Sequence, residues 1–200
     1  MSKDRFEAFS DGVFAFAITV LILGVALPAF KTAPSEGELT RALLDLWPNV
    51  LAFVLSFMVI GIMWQNHHAL FRLVDRIDRM TVFLNLALLG GTVFIPFATS
   101  TLGTYPTLRP AAFLYGITLT ETATVYNLML WHLTRSGAFK PDVTPETIRA
   151  TTIAYRVGWA TYTAATLIAL AVPTLSFGLY LLVAGYYLIP RGIDADLTQT

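Results

Sequence analysis

A chain of 200 residues with 56% hydrophobic side chains, 13% charged ones and a mean hydropathy of +0.64 lies far from the roughly one-quarter charged fraction of water-soluble domains, so most of it must be solvated by lipid. Its 13 Lys and Arg balance 13 Asp and Glu, which leaves no basic excess to hold a phosphate backbone and argues against nucleic acid as a partner. With no cysteine in the chain, disulfides, thiolate nucleophiles and Cys-based zinc sites are excluded.

Six apolar stretches follow one another, at about 7–29, 48–71, 80–101, 111–133, 150–172 and 174–190, each broken by charge or by Pro and Gly and each expected to cross the bilayer as a helix. The first opens directly from Arg5-Phe6-Glu7-Ala8-Phe9-Ser10-Asp11. Asp4, Glu7 and Asp11 spoil the basic leader of a signal peptide, and Ala26-Leu27-Pro28-Ala29 makes a poor cleavage site, so this stretch is read as a helix of the protein. The fifth and sixth stretches are joined only by Pro173-Thr174, which suits a tight hairpin. The expected fold is all-α, a polytopic membrane protein in a single unit spanning residues 1–200, with almost nothing left for a soluble domain.

Orientation follows from the Lys and Arg of alternate loops, because positive residues stay preferentially in the cytosol. One side collects nine, Lys3, Arg5, Arg72, Arg76, Arg79, Arg135, Lys140, Arg149 and Arg191, and the other only Lys31, Arg41 and Arg109. Both termini are therefore expected in the cytoplasm.

A carboxylate at the entrance of a membrane helix is costly and marks a functional site by default. With the termini inside, Asp11, the pair His67 and His68, and Asn85 fall at one depth near the cytoplasmic ends of the first three helices. A buried carboxylate is tolerable only if paired or hydrogen-bonded. Asp11 and Ser10 are thus expected to meet a second-helix histidine, with Trp64 or Asn85 contributing and Arg5 joining from the headgroup level. Such a knot can lock helices together or touch a permeating ligand. Glu121 and Arg156, the other intramembrane charges, are expected to lie about a turn apart in depth and to neutralise each other as an ion pair. A metal is not expected, since adjacent His67 and His68 point about 100° apart on a helix and neither they nor His132 have a carboxylate spaced as a ligand.

On a wheel at about 100° per residue, the first helix gathers Phe9, Gly12, Phe16, Thr19, Val20, Leu23 and Leu27 on one face, whereas Asp11, Ala15, Ile18, Ile22 and Ala29 fall more than a quarter-turn away. The first face can line a pore with one ring of hydroxyls, or pack against helices or lipid.

The string Arg5-x-x-x-Phe9-Ser10-Asp11, opening into Gly12-Val13-Phe14-Ala15-Phe16-Ala17-Ile18-Thr19, resembles the signature of the transmembrane protein 175 family of potassium channels. Trp64-Gln65-Asn66-His67-His68-Ala69-Leu70-Phe71, and Asn85 with Phe94-Ile95-Pro96-Phe97, are similar to family patterns as well. The resemblance implies a channel, not an enzyme, that needs no cofactor and passes K+ and possibly other monovalent cations. It implies first helices that line the path and a hydrophobic constriction at Phe16, Thr19, Val20 and Leu23, with Leu27 on the same face. One six-helix repeat per chain implies a homotetramer with four first helices around one axis, and the single-repeat length implies a bacterial inner membrane. Phe16 departs from the family, where an aliphatic residue is common at that position. No Thr-Val-Gly-Tyr-Gly filter string occurs, so selectivity must come from another mechanism, such as dehydration at an apolar ring. The alternative function is a secondary transporter, whose helices are usually broken by Gly or Pro at midplane. Gly90-Gly91 and Pro96 are the candidates for that, and Glu121 and Arg156 the polar residues it would use.

Overall fold

The computed structural model describes residues 3–187, and the regular elements within them are helices. The elements are α1 (Lys3–Val20), continued by a 3-10 turn (Leu21–Gly24), α2 (Glu36–Asp45), α3 (Trp47–Leu73), α4 (Arg79–Thr104), α5 (Arg109–Arg135), α6 (Pro145–Ala169) and α7 (Pro173–Tyr187). By length and composition, Lys3–Gly24, Trp47–Leu73 and Arg79–Thr104 are long and apolar enough to cross a membrane. The chain is an all-α membrane protein. The expected end of the sixth stretch, residues 188–190, and Arg191 lie outside the described residues.

Local chemistry sets the ends. Asp78 caps α4 by accepting from Thr81 N at 2.8 Å, and Thr144 caps α6 ahead of Pro145, whose missing N–H costs nothing in a first turn. At the end of α5, Gly137 takes φ +61°, Ala138 N donates to Leu133 O at 3.1 Å and Gly137 N to Thr134 O at 3.4 Å. This double closure requires a left-handed residue, hence glycine.

Two boundaries correct the sequence reading. The first helix starts a turn early and stops at Gly24 instead of continuing to about 29, since Pro28 drives the residue before it out of the helical region. Leu27 therefore lies in irregular backbone beyond the helix, not on its face. The fifth stretch begins at Pro145 and ends at Ala169, where 150–172 was expected, because Thr144-Pro145 supplies the cap and first turn. The short α2 was not expected at all. It starts in a capping box, in which Ser35 Oγ accepts from Glu38 N while Ser35 N donates to the Glu38 carboxylate at 2.8 Å, and this backbone bond, with a second donated by Ser35 Oγ, holds the Glu38 carboxyl below its ordinary range.

Helices α3, α4, α5 and α6 pack each against the next, α1 rests on both α3 and α4, and α7 returns onto α3, α5 and α6. One continuous core runs through them, with Leu55, Phe71, Leu88, Ile95, Leu102 and Tyr115 fully buried. At the α1 N-terminal end the loops are tied together. Val74 and Phe139 form an antiparallel bridge, Lys140 N donates to Leu73 O at 2.9 Å, and Lys3 Nζ donates to Val74 O at 2.6 Å. His132 Nε2 lies 2.8 Å from Asp78 Oδ2. The Thr81 backbone and hydroxyl bonds, with His132 adding to them, hold the Asp78 carboxyl down at about 2.

Candidate pore face and its polar anchor

Helix α1 divides sharply into two faces. Phe6, Ser10, Phe14, Ala17 and Leu21 are buried against α3 and α4, at the three- and four-residue spacing of one helix side. Opposite them Phe16 is 63% exposed and Leu23 74% exposed, with Gly12 and Thr19 exposed beside them and Val20 half-buried at the edge. The Thr19 hydroxyl donates to Phe16 O at 2.8 Å. Its single proton is thereby spent on its own helix, and the oxygen lone pairs are free to accept.

The buried face is anchored by a hydrogen-bonded chain. Asn85 Nδ2 donates to Ser10 Oγ at 2.9 Å, and Ser10 Oγ donates to Phe6 O at 3.0 Å. Asn85 Oδ1 is then the acceptor for His67 Nε2–H at 2.9 Å. Ser10, His67 and Asn85 are each at most 1% exposed, so α1, α3 and α4 are joined where water cannot substitute. The imidazole sits among rings, 4.6 Å from Phe71, 5.5 Å from Phe14 and 6.2 Å from Phe6 between centroids. Hydrogen bonds between membrane helices contribute about 0.6–2 kcal/mol each, and here they also fix the rotation of α1 that turns Phe16 and Leu23 outward.

Asp11 stands apart from this chain. Its carboxylate accepts from Trp64 Nε1 at 2.9 Å, and His68 stacks on the Trp64 indole at 6.2 Å and 25°. The structure thus sorts the predicted knot into two: Ser10 with His67 and Asn85 inside, and Asp11 with Trp64 and His68 toward the surface. Arg5 is exposed and joins neither among the described residues.

Glu121 and Arg156 do not form the expected ion pair. Asn127 Nδ2 donates to Tyr155 O at 3.2 Å and Trp159 Nε1 to Thr124 Oγ1 at 2.9 Å, a register that sets Arg156 level with Asn127. That position is six residues, 127 minus 121, from Glu121, or about 9 Å along the helix. The Glu121 carboxylate turns instead to Gly91 on α4, where a Cβ would collide with it.

A second buried track has no counterpart in the sequence reading. Ser56 Oγ lies 2.7 Å from Thr99 Oγ1 and 3.0 Å from Tyr115 OH, linking α3, α4 and α5. The Tyr180 ring packs on Tyr115 at 5.3 Å and adds α7 to the cluster. Its signal was three hydroxyl residues in apolar stretches, of which Ser56 and Thr99 are each explicable separately as a helix-internal hydroxyl bonded to its own backbone.

The bundle exposes apolar side chains on every long helix, as a protein solvated by lipid does, and its first helix is held from behind by a buried His–Asn–Ser chain. Residues 5–96 match the family described as "Endosomal/lysosomal potassium channel TMEM175". The chain is 41% identical over 190 residues to a potassium channel of Streptomyces collinus, covering 92% of this chain and 90% of that one. It is 38% identical over 187 residues to a potassium channel of Chamaesiphon minutus, covering 92% of each. The fold superimposes on the crystal structure of a lysosomal potassium-selective channel TMEM175 homolog from Chamaesiphon minutus with a TM-score of 0.82 and 36% identity, over 94% of this chain and 96% of that one. The chain belongs to the TMEM175 family, a family of ion channels and not of enzymes.

Proposed function

We propose that this protein is a potassium-permeable cation channel of a bacterial inner membrane, working as a homotetramer in which the α1 helices of four subunits line one central pore. Phe16, Thr19, Val20 and Leu23 form its constriction, with Thr19 the polar ring between apolar ones. Each chain contributes one six-crossing unit, with α2 in a loop, and both termini face the cytoplasm as the Lys and Arg count directs. A single observation supports the reading most: a buried polar chain fixes one side of α1 against α3 and α4 and so holds Phe16 and Leu23, 63% and 74% exposed, on the opposite side.

Potassium then passes down its gradient through a ring wide enough to wet, meeting free Thr19 oxygen lone pairs where it sheds water. The transporter alternative would use Glu121 and Arg156 as midplane polar residues, and no ion pair joins them among the described residues. The absence of cysteine makes the test clean. Reconstituted Leu23→Cys is expected to lose potassium flux on treatment with a charged thiol reagent, whereas Ala17→Cys, on the buried face, is expected to be insensitive. Equal sensitivity of the two, or none at Leu23→Cys, contradicts the pore assignment.

A further inference from the structure

With α6 crossing the membrane as proposed above, Arg156 is a charge at membrane depth with no carboxylate partner among the described residues, eleven residues past the start of α6 at Pro145, or about 16 Å at 1.5 Å per residue. It lines a groove of about 670 Å³ between α5 and α6, open on the outer side of the bundle, whose walls include Trp131, Trp159, Thr134 and Thr152 and no acidic residue. That volume falls in the roughly 300–1,000 Å³ range of sites for small organic groups.

Further cations lead to the groove from the α5–α6 turn. Arg135 lies over the Trp131 ring with its Cζ 5.1 Å from the centroid. Arg149 precedes Arg156 by seven residues, hence on nearly the same face of α6 about two turns nearer the turn, and Thr152 lies between them. An unpaired intramembrane arginine must find an anion, water or a snorkelling route to the interface. Basic pockets between membrane helices at the interfacial level accommodate phosphate headgroups. Tryptophans on both walls are the side chains that hold an acyl–headgroup boundary, and the threonine hydroxyls donate to phosphate oxygens.

We propose that this groove binds one anionic phospholipid of the leaflet that contains the α5–α6 turn, its phosphate paired with Arg156 between Trp131 on the headgroup side and Trp159 on the acyl side. Charge complementarity selects this occupant: the lining carries a guanidinium and hydroxyls but no acid, so a lipid of net negative charge is preferred to a zwitterionic one. The site lies on the helix pair away from α1, and its occupation is independent of what α1 conducts.

Native mass spectrometry of the purified full chain, titrated with phosphatidylglycerol or with phosphatidylcholine of the same acyl chains, tests the inference. Phosphatidylglycerol is expected to be retained in preference, one per subunit. R156Q is expected to weaken that retention about tenfold, as loss of a charged hydrogen bond does, at unchanged assembly size, and R41Q on α2 should leave it unchanged. Equal retention of the two lipids, full retention in R156Q, or equal competition by acyl-free glycerophosphate overturns the proposal. So does a change of assembly size in R156Q, which would make the groove a contact between copies. Should R156Q fail to purify, R135Q/R149Q carries the test: weakened phosphatidylglycerol retention supports the site, and unchanged retention overturns it.

Discussion

Replacing Asn85 with Leu, which has nearly the same volume, keeps the packing while deleting the central link of the Ser10–Asn85–His67 chain. The imidazole N–H then has no acceptor among Phe6, Phe14 and Phe71, and at 1% exposure water does not reach it. An orphaned buried donor costs about 1–3 kcal/mol, and the lost bond to Ser10 about another 1 kcal/mol. Ser10 keeps its own bond to Phe6 O. A total of about 3 kcal/mol lowers the melting temperature of a chain this size by roughly 6–12 °C, measurable by intrinsic fluorescence on detergent-solubilised protein. Removing both polar partners together should be far milder, because His67→Phe completes an aromatic cluster and leaves nothing unsatisfied. H67F/N85L is therefore expected within roughly 1 kcal/mol of wild type, well above N85L alone. If N85L melts with wild type, or the double variant falls by the sum of the two singles, the chain does not anchor α1 in the way argued.

Three further outcomes follow from particular contacts. Gly103→Ala places a Cβ 2.8 Å from Asn49 Cα, a backbone clash between α3 and α4 that is expected to cost about 1–3 kcal/mol in the same melting assay. Asp78→Asn should lower stability by about 1 kcal/mol at neutral pH through loss of the charged α4 cap. Because the folded carboxyl is depressed from 3.8 to about 2, the wild type's advantage is present above the ordinary value and lost as pH falls through the folded one, so the two melting curves should converge at acid pH and stay parallel from pH 5 to 7. For Glu121 and Arg156, a double-mutant cycle with E121Q and R156Q is expected to give a coupling below about 0.5 kcal/mol. A coupling several times larger would restore the ion pair that their register denies.

Much of this architecture was legible in the sequence because the signals are local. Apolar runs mark α3, α4 and α5 to within a few residues, and Asp11 flags the polar entrance of α1. Helical periodicity gathers Phe16, Thr19 and Leu23 on one face, and all three are exposed, but so are Ala15 and Ile22 from the face it sets apart. What escaped was pairing across helices. Which residue Asp11 would meet depended on the rotation of α3, which presents Trp64 to it and His67 to Asn85. Glu121 and Arg156 were compared by depth from helix ends, and depth says nothing of the lateral turn of Glu121 toward Gly91. The Lys3–Val74 bond and the Val74–Phe139 bridge join segments more than sixty residues apart, with no periodic trace. By contrast the start of α2 is a local signal, since Ser35-x-x-Glu38 is a capping box in plain view, though the helix it opens has no long apolar run. Leu27 was misplaced because a hydrophobic run ignores the helix-ending force of Pro28.

The most direct test of the account is potassium flux through the purified protein in liposomes, with sodium and a large organic cation for comparison and empty vesicles as the control. Flux that favours potassium, and whose rate or ion preference shifts in Phe16→Ala and Leu23→Ala while assembly size is unchanged, is the predicted result. Flux with the same rate and preference in both variants, or none from an intact assembly whose Phe16→Ala form is equally silent, would contradict a pore lined by α1.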